Sequence, residues 1–274
     1  MRAVATEIAR DGTCPFWAPP LAALQFLTRV PVPALARLQG ETVEIALGRA
    51  VGWFPLVGAF VGAVTAGTVL LAGQIWPRIV AVLIALVVEA LLTGAFHEDA
   101  VADFCDGVGG GRNPAHVRQI MKDSRVGSYG ALGLALAVAL RAALMLSPPS
   151  SSLLFFATVV AASSFGRLVA SIAMHAIPSA PQDHPAAGLA NNIGRALPPN
   201  TLAIATITAI PGLLLFALLA PVALLIAVAG ALVFLIWFRR LLLHKLGGIT
   251  GDCLGFAVYA SQLIVLLAAS GSWM

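Results

Sequence analysis

Charged side chains are scarce in this sequence. Asp, Glu, Lys and Arg make up 10% of its 274 residues, whereas 59% of the residues are hydrophobic. Soluble domains carry about 25% charged residues, so this composition excludes a soluble globular protein. Apolar runs long enough to cross roughly 30 Å of bilayer hydrocarbon recur along the chain. The sequence therefore predicts an all-α, polytopic integral membrane protein with about seven transmembrane helices.

Cysteine is also rare, and its positions exclude two kinds of site. The three cysteines are Cys14, Cys105 and Cys253, an odd number without a CxxC pair. Neither a disulfide framework nor a cysteine-based zinc site fits this spacing. The net charge is +4, but the basic residues form no patch interleaved with aromatic residues, so we expect no nucleic-acid partner. The lipid bilayer is the partner that the composition indicates.

The apolar runs divide the chain into an N-terminal part, residues 1–50, and a single transmembrane catalytic domain, residues 51–274. Residues 1–15 are predicted to be a disordered leader. The apolar stretch 16–32 is too short and too rich in proline to span a membrane, which favours an interfacial or re-entrant segment. The predicted spans are residues 51–74, 79–96, 129–146, 153–174, 202–219, 222–238 and 254–269. The second is predicted to run directly into the acidic helix that begins at residue 97.

The positions of the basic residues predict the orientation. With a cytoplasmic N-terminus, thirteen of the sixteen Lys and Arg residues lie on the cytoplasmic side: five before the first span, four between the second and third, Arg195, and three after the sixth. Such a bias is typical of cytoplasmic loops. Three polar loops, which include residues 97–128, 175–200 and 247–253, then share one face and can form one cytosol-facing site.

The segment 97–130 holds five of the twelve acidic residues. Asp99, Asp103 and Asp106 are four and three residues apart, a spacing that puts three carboxylates on one face of a helix. Clustered carboxylates repel one another unless a cation lies between them, and hard oxygen ligands favour Mg²⁺ or Mn²⁺ over zinc. The pattern predicts a metal site on a helix that Gly107 then breaks.

A second, short helix is predicted to begin after Asn113, because Asn is a favoured N-cap and Pro114 a favoured first helical residue. Arg118, Lys122 and Arg125 repeat the four-and-three spacing, which predicts a face of three cations. Metal-bridged anionic oxygens together with cations are what a phosphoryl or pyrophosphate group requires in its transition state. The alternative is that both charged faces are solvated surfaces beside a membrane helix.

Three further residues near these faces are candidates for chemistry. His97 is either a general base or phosphate donor, or an amphipathic residue at the membrane boundary. Asp123 projects away from the predicted cationic face, so it is either a base on another side of the site or the structural partner of a loop. Asp252 follows the turn GGIT and precedes the last span. It is either a further metal ligand beside a phosphate-binding helix start, or the cap of that helix.

Glu89, Arg141 and Arg167 are ionisable residues inside predicted spans, where such residues usually meet a partner or a cavity. Counted from the cytosolic ends of their spans, Glu89 and Arg167 both lie about 10 Å deep, whereas Arg141 lies about 18 Å deep. The matching depth predicts an ion pair between Glu89 and Arg167. Without that pair, Arg167 would point into a substrate cavity.

The acidic segment HEDAVADFCDG at 97–107 and the segment MKDSRVG at 121–127 resemble the signature of the cobalamin synthase family, the adenosylcobinamide-GDP ribazoletransferases. The segments FLTRVPVP at 26–33, FPLVG at 54–58 and GGITGDCLG at 247–255 agree with it. The resemblance therefore covers nearly the whole chain. It departs from the family pattern at Ala100, where Gly is usual, and at Tyr259 and Gln262, where many members carry Glu.

The resemblance implies a Mg²⁺-dependent transferase of the bacterial inner membrane. A hydroxyl of α-ribazole, or of its 5′-phosphate, would attack the cobinamide-linked phosphorus of adenosylcobinamide-GDP and release GMP. The implied catalytic residues are His97 and Asp123. The implied metal ligands are Asp99, Asp103, Asp106 and Asp252. The implied substrate-binding residues are Arg29, Arg118, Lys122, Arg125, Arg167 and Arg195. The oligomeric state stays open, a homo-oligomer included.

Two other functions remain alternatives. A CDP-alcohol phosphotransferase uses a similar acidic helix, but its motif has Arg after the alanine, and here Ala102 is followed by Asp103. A membrane transporter or divalent-cation channel would use the ionisable residues inside the spans to line a path. Against a transporter, the acids cluster at one end of a span and the sequence shows no inverted repeat.

Overall fold

The structure, a computed structural model, describes residues 14–38, 41–147, 151–181 and 197–271. Within these ranges the chain forms eleven α-helices and no β-strand. The helices are α1 (Ala18–Leu27), α2 (Glu41–Ala50), α3 (Phe54–Ala72), α4 (Arg78–Thr93), α5 (Phe96–Gly110), α6 (Pro114–Ile120), α7 (Ser128–Leu146), α8 (Ser152–Ala176), α9 (Thr201–Leu219), α10 (Pro221–Lys245) and α11 (Gly251–Ser270). The all-α prediction is confirmed. Nearly all of the predicted leader, and Arg195 with most of its loop, lie outside the described residues.

Several helical segments are long and apolar enough to cross a membrane, as the composition predicts. In the described ranges these are Ile45–Ala72, Ser128–Leu146, Ser152–Ala176, Thr201–Leu219, Pro221–Lys245 and Gly251–Ser270. Helices α4 and α5 are long and apolar enough only when taken together, and they make a seventh span if this bent pair crosses the membrane as one. Large apolar side chains such as Leu83, Leu132, Leu214 and Leu232 point outward, as expected for surfaces that contact lipid.

The prediction that the second span runs directly into the acidic helix is wrong. Helix α4 ends at Thr93, and α5 leaves it at an angle of 90°. Two successive residues with left-handed backbone conformation, Gly94 (φ 73°) and Ala95 (φ 55°), make this bend. Gly adopts that conformation without a Cβ clash, which is why the helix ends there. The acidic helix therefore has its own direction in the bundle.

Two other helices end later in the sequence than predicted. Helix α5 continues past Gly107 to Gly110, and the missing side chain of Gly107 leaves room for the contacting side chain of Met121. Helix α10 extends to Lys245, so residues 239–245 are helical instead of opening a loop. Basic side chains in a last helical turn interact favourably with the helix dipole, which stabilises this extension.

Helix α8 is central to the bundle, since most of its residues are buried. Small residues let its neighbours approach closely, as is usual between membrane helices. Gly58 of α3 lies against the backbone of Ser163, and Gly166 of α8 lies against Val258 of α11. Helix α5 contacts both α11 and α7. The acidic helix is thus held between two spans that pack on or near the core helix.

The N-terminal helix α1 has ten residues, too few to span a bilayer. Ala18, Ala22 and Leu27 of this helix are buried in a cluster with Val57 and Val61 of α3. Helix α2 leads through a 3-10 turn, Val51–Trp53, into α3. The domain boundary after residue 50 stays a prediction.

Candidate active site

The acidic residues of α5 meet a fourth carboxylate from a distant segment. Asp99 is exposed and Asp103 is half-buried on α5, and Asp252 lies in the first turn of α11. The Asp103 carboxylate is close enough to interact electrostatically with those of Asp99, Asp106 and Asp252. Helices α5 and α11 lie close together here because the Gly255 backbone of α11 packs on Ala100 of α5. The two segments that the sequence singled out for a metal therefore come together.

The acidic cluster does not by itself group enough ligands for a metal ion, so a magnesium ion here would be shared with a substrate. Within the described residues, no three His, Cys, Asp or Glu side chains are grouped so that they could hold a metal ion by themselves. Mg²⁺ is usually bound by one or two carboxylates, together with waters and substrate phosphate oxygens. Asp99, Asp103 and Asp252 can provide the carboxylates.

Asp106 differs from the other acids because its carboxylate is already engaged. It is buried, and its two oxygens accept hydrogen bonds from the backbone N–H groups of Gly127 (2.7 Å) and Gly130 (2.8 Å). A carboxylate at a helix N-terminus satisfies N–H groups that lack an intrahelical acceptor. Asp106 thus caps α7, and its role as a metal ligand stays a prediction.

The predicted face of three cations does not form. Asn113 caps α6 as predicted, its Oδ1 accepting from the His116 N–H at 2.9 Å, but the helix ends at Ile120. Asp123 Oδ1 accepts from the Arg125 N–H at 3.1 Å. Such a side chain to backbone bond turns the chain away from a helix, and it separates the three cations that a longer helix would have aligned.

The three cations therefore have different surroundings. Arg118 Nη1 donates to the carbonyl oxygen of Leu246 at 3.0 Å and ties α6 to the end of α10. The Arg125 side chain is 87% exposed and pairs with Asp123. Lys122 interacts electrostatically with Asp252. This interaction links Lys122 to the acidic cluster.

Asp123 lies on the surface next to Asp106, in a shallow depression that also contains Arg125 and Tyr129. Hydrogen bonds from the Arg125 side chain and backbone lower the pKa of the Asp123 carboxyl to about 2. A carboxylate with so low a pKa is a weak proton acceptor at neutral pH. This arrangement resembles a structural pair at a loop more than a catalytic base.

His97 and Arg167 line a second, narrow cavity between α1, α3, α5, α8 and α11. Both are buried, and the other lining residues are apolar. Phe26, Phe54 and Phe96 form an aromatic wall, in which Phe26 stacks on Phe54 with ring centroids 5.6 Å apart. We call this space the aromatic cavity. Sequence spacing could not reveal it, because the wall residues come from three separate helices.

The predicted ion pair between Glu89 and Arg167 is wrong. The partner of Glu89 is Arg141, with Nη2 and Oε2 2.6 Å apart, and Thr65 also donates to Glu89 at 2.6 Å. Equal depth does not show which helices are neighbours, and α4 contacts α7, the helix that carries Arg141. Arg167 instead lines the aromatic cavity, which was the stated alternative.

Sequence reasoning did not single out the other residues that hold Arg141 in place. Its Nη1 lies 3.7 Å from Glu98 Oε1, and its guanidinium carbon lies 5.5 Å from the centre of the Tyr259 ring. Glu98 adjoins the aspartate stripe, which was its only sequence signal. Tyr259, at a position where many family members carry Glu, thus contacts a cation through its aromatic ring.

Arg29 is exposed and lies at the bend between α4 and α5. Its backbone N–H donates to the carbonyl oxygen of Leu92 at 2.6 Å, and its guanidinium lies against Gly94. It joins the N-terminal segment to the start of the acidic helix. Its predicted role in substrate binding, like that of Arg195, stays a prediction.

The fold and site define a class: a multi-pass helical membrane protein in which two separate segments build an acidic cluster beside a buried apolar cavity. The family model described as Cobalamin-5-phosphate synthase matches residues 19–270. The chain belongs to this family, so the family resemblance inferred from the motifs is confirmed.

Individual relatives carry one name, Adenosylcobinamide-GDP ribazoletransferase. The protein of Leptothrix cholodnii is 38% identical over 258 residues, which cover 92% of this chain and 93% of the relative. That of Vibrio cholerae serotype O1 is 34% identical over 247 residues, which cover 90% of this chain and 91% of the relative. That of Shewanella amazonensis is 47% identical over 125 residues, 46% of each chain. No solved structure matches this chain.

Proposed function

We propose that this protein is an adenosylcobinamide-GDP ribazoletransferase, which joins adenosylcobinamide-GDP to α-ribazole or its 5′-phosphate and releases GMP. The family and the name of its relatives support this activity. The observation in the structure that carries it is the meeting of Asp99 and Asp103 with Asp252 beside Lys122. Carboxylates and a cation in one place suit a substrate whose reacting centre is a pyrophosphate.

The reaction is a displacement at phosphorus. The ribazole hydroxyl oxygen forms a bond to the cobinamide-linked phosphorus, and the bond from that phosphorus to the oxygen of GMP breaks. His97, which lines the aromatic cavity, is the candidate acceptor for the hydroxyl proton. Lys122 lies where it can meet the charge that develops on the leaving GMP.

One or two of the carboxylates of Asp99, Asp103 and Asp252 would hold Mg²⁺ together with substrate oxygens. When bound, the ion would withdraw charge from the phosphoryl oxygens and stabilise the leaving group. The chain's own residues orient the two substrates. Arg118 fixes α6, and with it Lys122, against the end of α10.

The proposed location is the bacterial inner membrane, with the N-terminus and the site facing the cytoplasm. The distribution of Lys and Arg supports this orientation. The C-terminal end of α5 and the N-terminal end of α7 meet at Asp106, so the acidic cluster lies near one end of the spans. A homo-oligomer stays untested.

Purified protein in detergent, incubated with adenosylcobinamide-GDP, α-ribazole and Mg²⁺, should form adenosylcobalamin and one equivalent of GMP. The same mixture without α-ribazole is the control and should release no GMP. Release of GMP that does not depend on α-ribazole would contradict the proposal. A parallel flux assay in proteoliposomes tests the transporter alternative, for which we expect no divalent-cation uptake.

A further inference from the structure

Arg167 has two donor groups without a partner. Its side chain is 1% exposed, and Nη1 donates to the Ser163 carbonyl oxygen (2.9 Å) and hydroxyl (3.3 Å). Its Nε and Nη2 are buried and have no hydrogen-bond partner among the residues that the structure describes. Unpaired buried donors are costly. Because Arg167 lines the aromatic cavity, a ligand in that cavity can supply the acceptor.

The charges around Arg167 favour a neutral ligand. Arg167 interacts electrostatically with Glu89, Glu98 and Arg141. Two carboxylates therefore accompany two guanidinium groups, which leaves no excess positive charge for a phosphate. Lys122, the cation that can meet a phosphate in the proposed reaction, interacts with Asp252 and is not among the residues that line the cavity. A neutral group that accepts a hydrogen bond fits Arg167 better than an anion.

The walls of the aromatic cavity favour a flat apolar ring, which must separate them to enter, because the space between them is only about 40 Å³. Phe26 stacks on Phe54, and Phe96 meets Phe26 edge to face with centroids 5.9 Å apart. Aromatic rings prefer such stacked and edge-to-face neighbours. A base that carries amino or ring N–H groups would leave these donors unpaired against apolar walls. A benzimidazole ring carries no such donor when one of its nitrogens is bonded to ribose.

We propose that the aromatic cavity binds the base of the ribazole substrate, and that Arg167 donates a hydrogen bond to the base nitrogen that is not bonded to ribose. This inference rests on the proposed function and names the part of the site that selects the base. His97 and Gly251 line the cavity. Asp252 directly follows Gly251, and Asp99 lies two residues after His97. The cavity therefore adjoins the acidic cluster, and in this proposal the ribose extends from the base towards it.

The test compares three ribosides with the purified enzyme at saturating adenosylcobinamide-GDP and Mg²⁺. They carry benzimidazole, indole, which has a C–H group in place of the accepting nitrogen, or adenine. We expect kcat/KM for the benzimidazole riboside to exceed the other two by roughly tenfold, the effect of one net hydrogen bond. The difference should appear mainly in KM, because the base is not the reacting group.

Variants separate the two parts of the proposal. Arg167→Met should bring the ratio of benzimidazole to indole riboside close to one, and Arg167→Lys, which keeps a donor, should restore part of the preference. Phe96→Leu should raise the KM for the riboside without changing that for adenosylcobinamide-GDP. Phe234→Leu is the matched control and should change neither constant, because Phe234 packs with Phe238 and Phe256 outside the cavity.

Equal kcat/KM for the benzimidazole and indole ribosides in the wild-type enzyme would overturn the inference, even if the Arg167 variants fail to fold. An Arg167→Met enzyme that changes only the KM for adenosylcobinamide-GDP would also overturn it, since the cavity would then hold part of that substrate. A wild-type enzyme that forms no product with any riboside would instead refute the proposed function.

Discussion

Asp103 and Asp106 are three residues apart on α5, yet their surroundings differ. Asp103 is half-buried and interacts with Asp99 and Asp252. Asp106 is buried and accepts hydrogen bonds from the backbone N–H groups of Gly127 and Gly130 at the start of α7. Acids at helical spacing in the sequence therefore have different surroundings in the structure, and mutation of each can separate their functions.

Asp103→Asn should lower kcat by about 100-fold or more, the usual effect of removing one electrostatic group from a reaction centre. The amide keeps the size of the carboxyl group and loses its charge, so insertion and thermal stability in detergent should not change. The measurements are GMP release and a melting curve on the same preparation. An active Asp103→Asn enzyme would contradict the assignment of this cluster.

Asp123→Asn should leave the pH dependence of kcat/KM unchanged between about pH 5 and pH 8, because a group with so low a pKa stays ionised throughout. The pKa of Asp123 is lowered to about 2. Any contribution of its pairing to stability is therefore present above the ordinary pKa and is lost as the pH falls towards 2. Loss of the acidic limb of the profile in this variant would instead identify Asp123 as the base.

At the scale of helices, the bend between α4 and α5 decides which elements the acidic helix joins. It lets α5 pack on α7 and α11, while Glu89 on α4 still reaches Arg141 on α7. Arg141 also lies near Glu98 of α5 and the ring of Tyr259 on α11. One guanidinium group therefore connects four helices around the site.

Asp106→Asn should lower the stability of the protein by about 1–2 kcal/mol, because a capping carboxylate is lost from α7. An amide can accept only through its oxygen, so one of the N–H groups of Gly127 and Gly130 loses its acceptor. The melting temperature in detergent measures this change. Activity per folded molecule should fall less than in Asp103→Asn, and the opposite ranking would favour a metal ligand.

Removing one partner of the Glu89 and Arg141 pair should cost about 3–5 kcal/mol, since it leaves a buried charge alone. The double variant Glu89→Gln with Arg141→Met should cost clearly less than the sum of the single variants. A double-mutant cycle on thermal stability measures the coupling. Additive effects would show that the two side chains do not stabilise each other. The control is the same cycle with Arg167→Met in place of Arg141→Met.

At the scale of the whole molecule, the spans surround a central α8 and present apolar side chains outward. The segments that carry chemistry come from α5, from the turn after α6 and from the start of α11. Their meeting requires that the ends of these helices lie on one side of the membrane, which the basic residues also predict.

Cysteine labelling in intact cells tests this topology. Gln74→Cys, between α3 and α4, should react with a membrane-impermeant maleimide added outside the cells. Arg112→Cys, between α5 and α6, should react only after lysis. Both positions are exposed. Replacement of Cys14 and Cys105 removes the partly accessible native thiols, whereas Cys253 is buried. Labelling of Arg112→Cys in intact cells would reverse the proposed orientation.

Much of the fold could be predicted from the sequence because the responsible signals are local. The spans from residue 129 onward begin within about three residues of their predicted starts, and the Asn113 cap was read correctly. The bend was missed because Gly94 lies inside an apolar run that looks continuous. The basic face was mispredicted because Asp123 bonds to the backbone of Arg125, and spacing alone cannot show that bond.

The sequence by itself determined that the chain spans a membrane, that its helices are apolar, and that its acids gather in one segment. Composition and periodicity are local properties of the sequence, so they predict these features without knowledge of the tertiary structure. Only the tertiary structure decided that Asp252 joins Asp103, that Glu89 pairs with Arg141, and that Arg167 faces a cavity. These partners come from different helices, and a 90° bend at Gly94 and Ala95 sets the direction of the helix that carries Asp103.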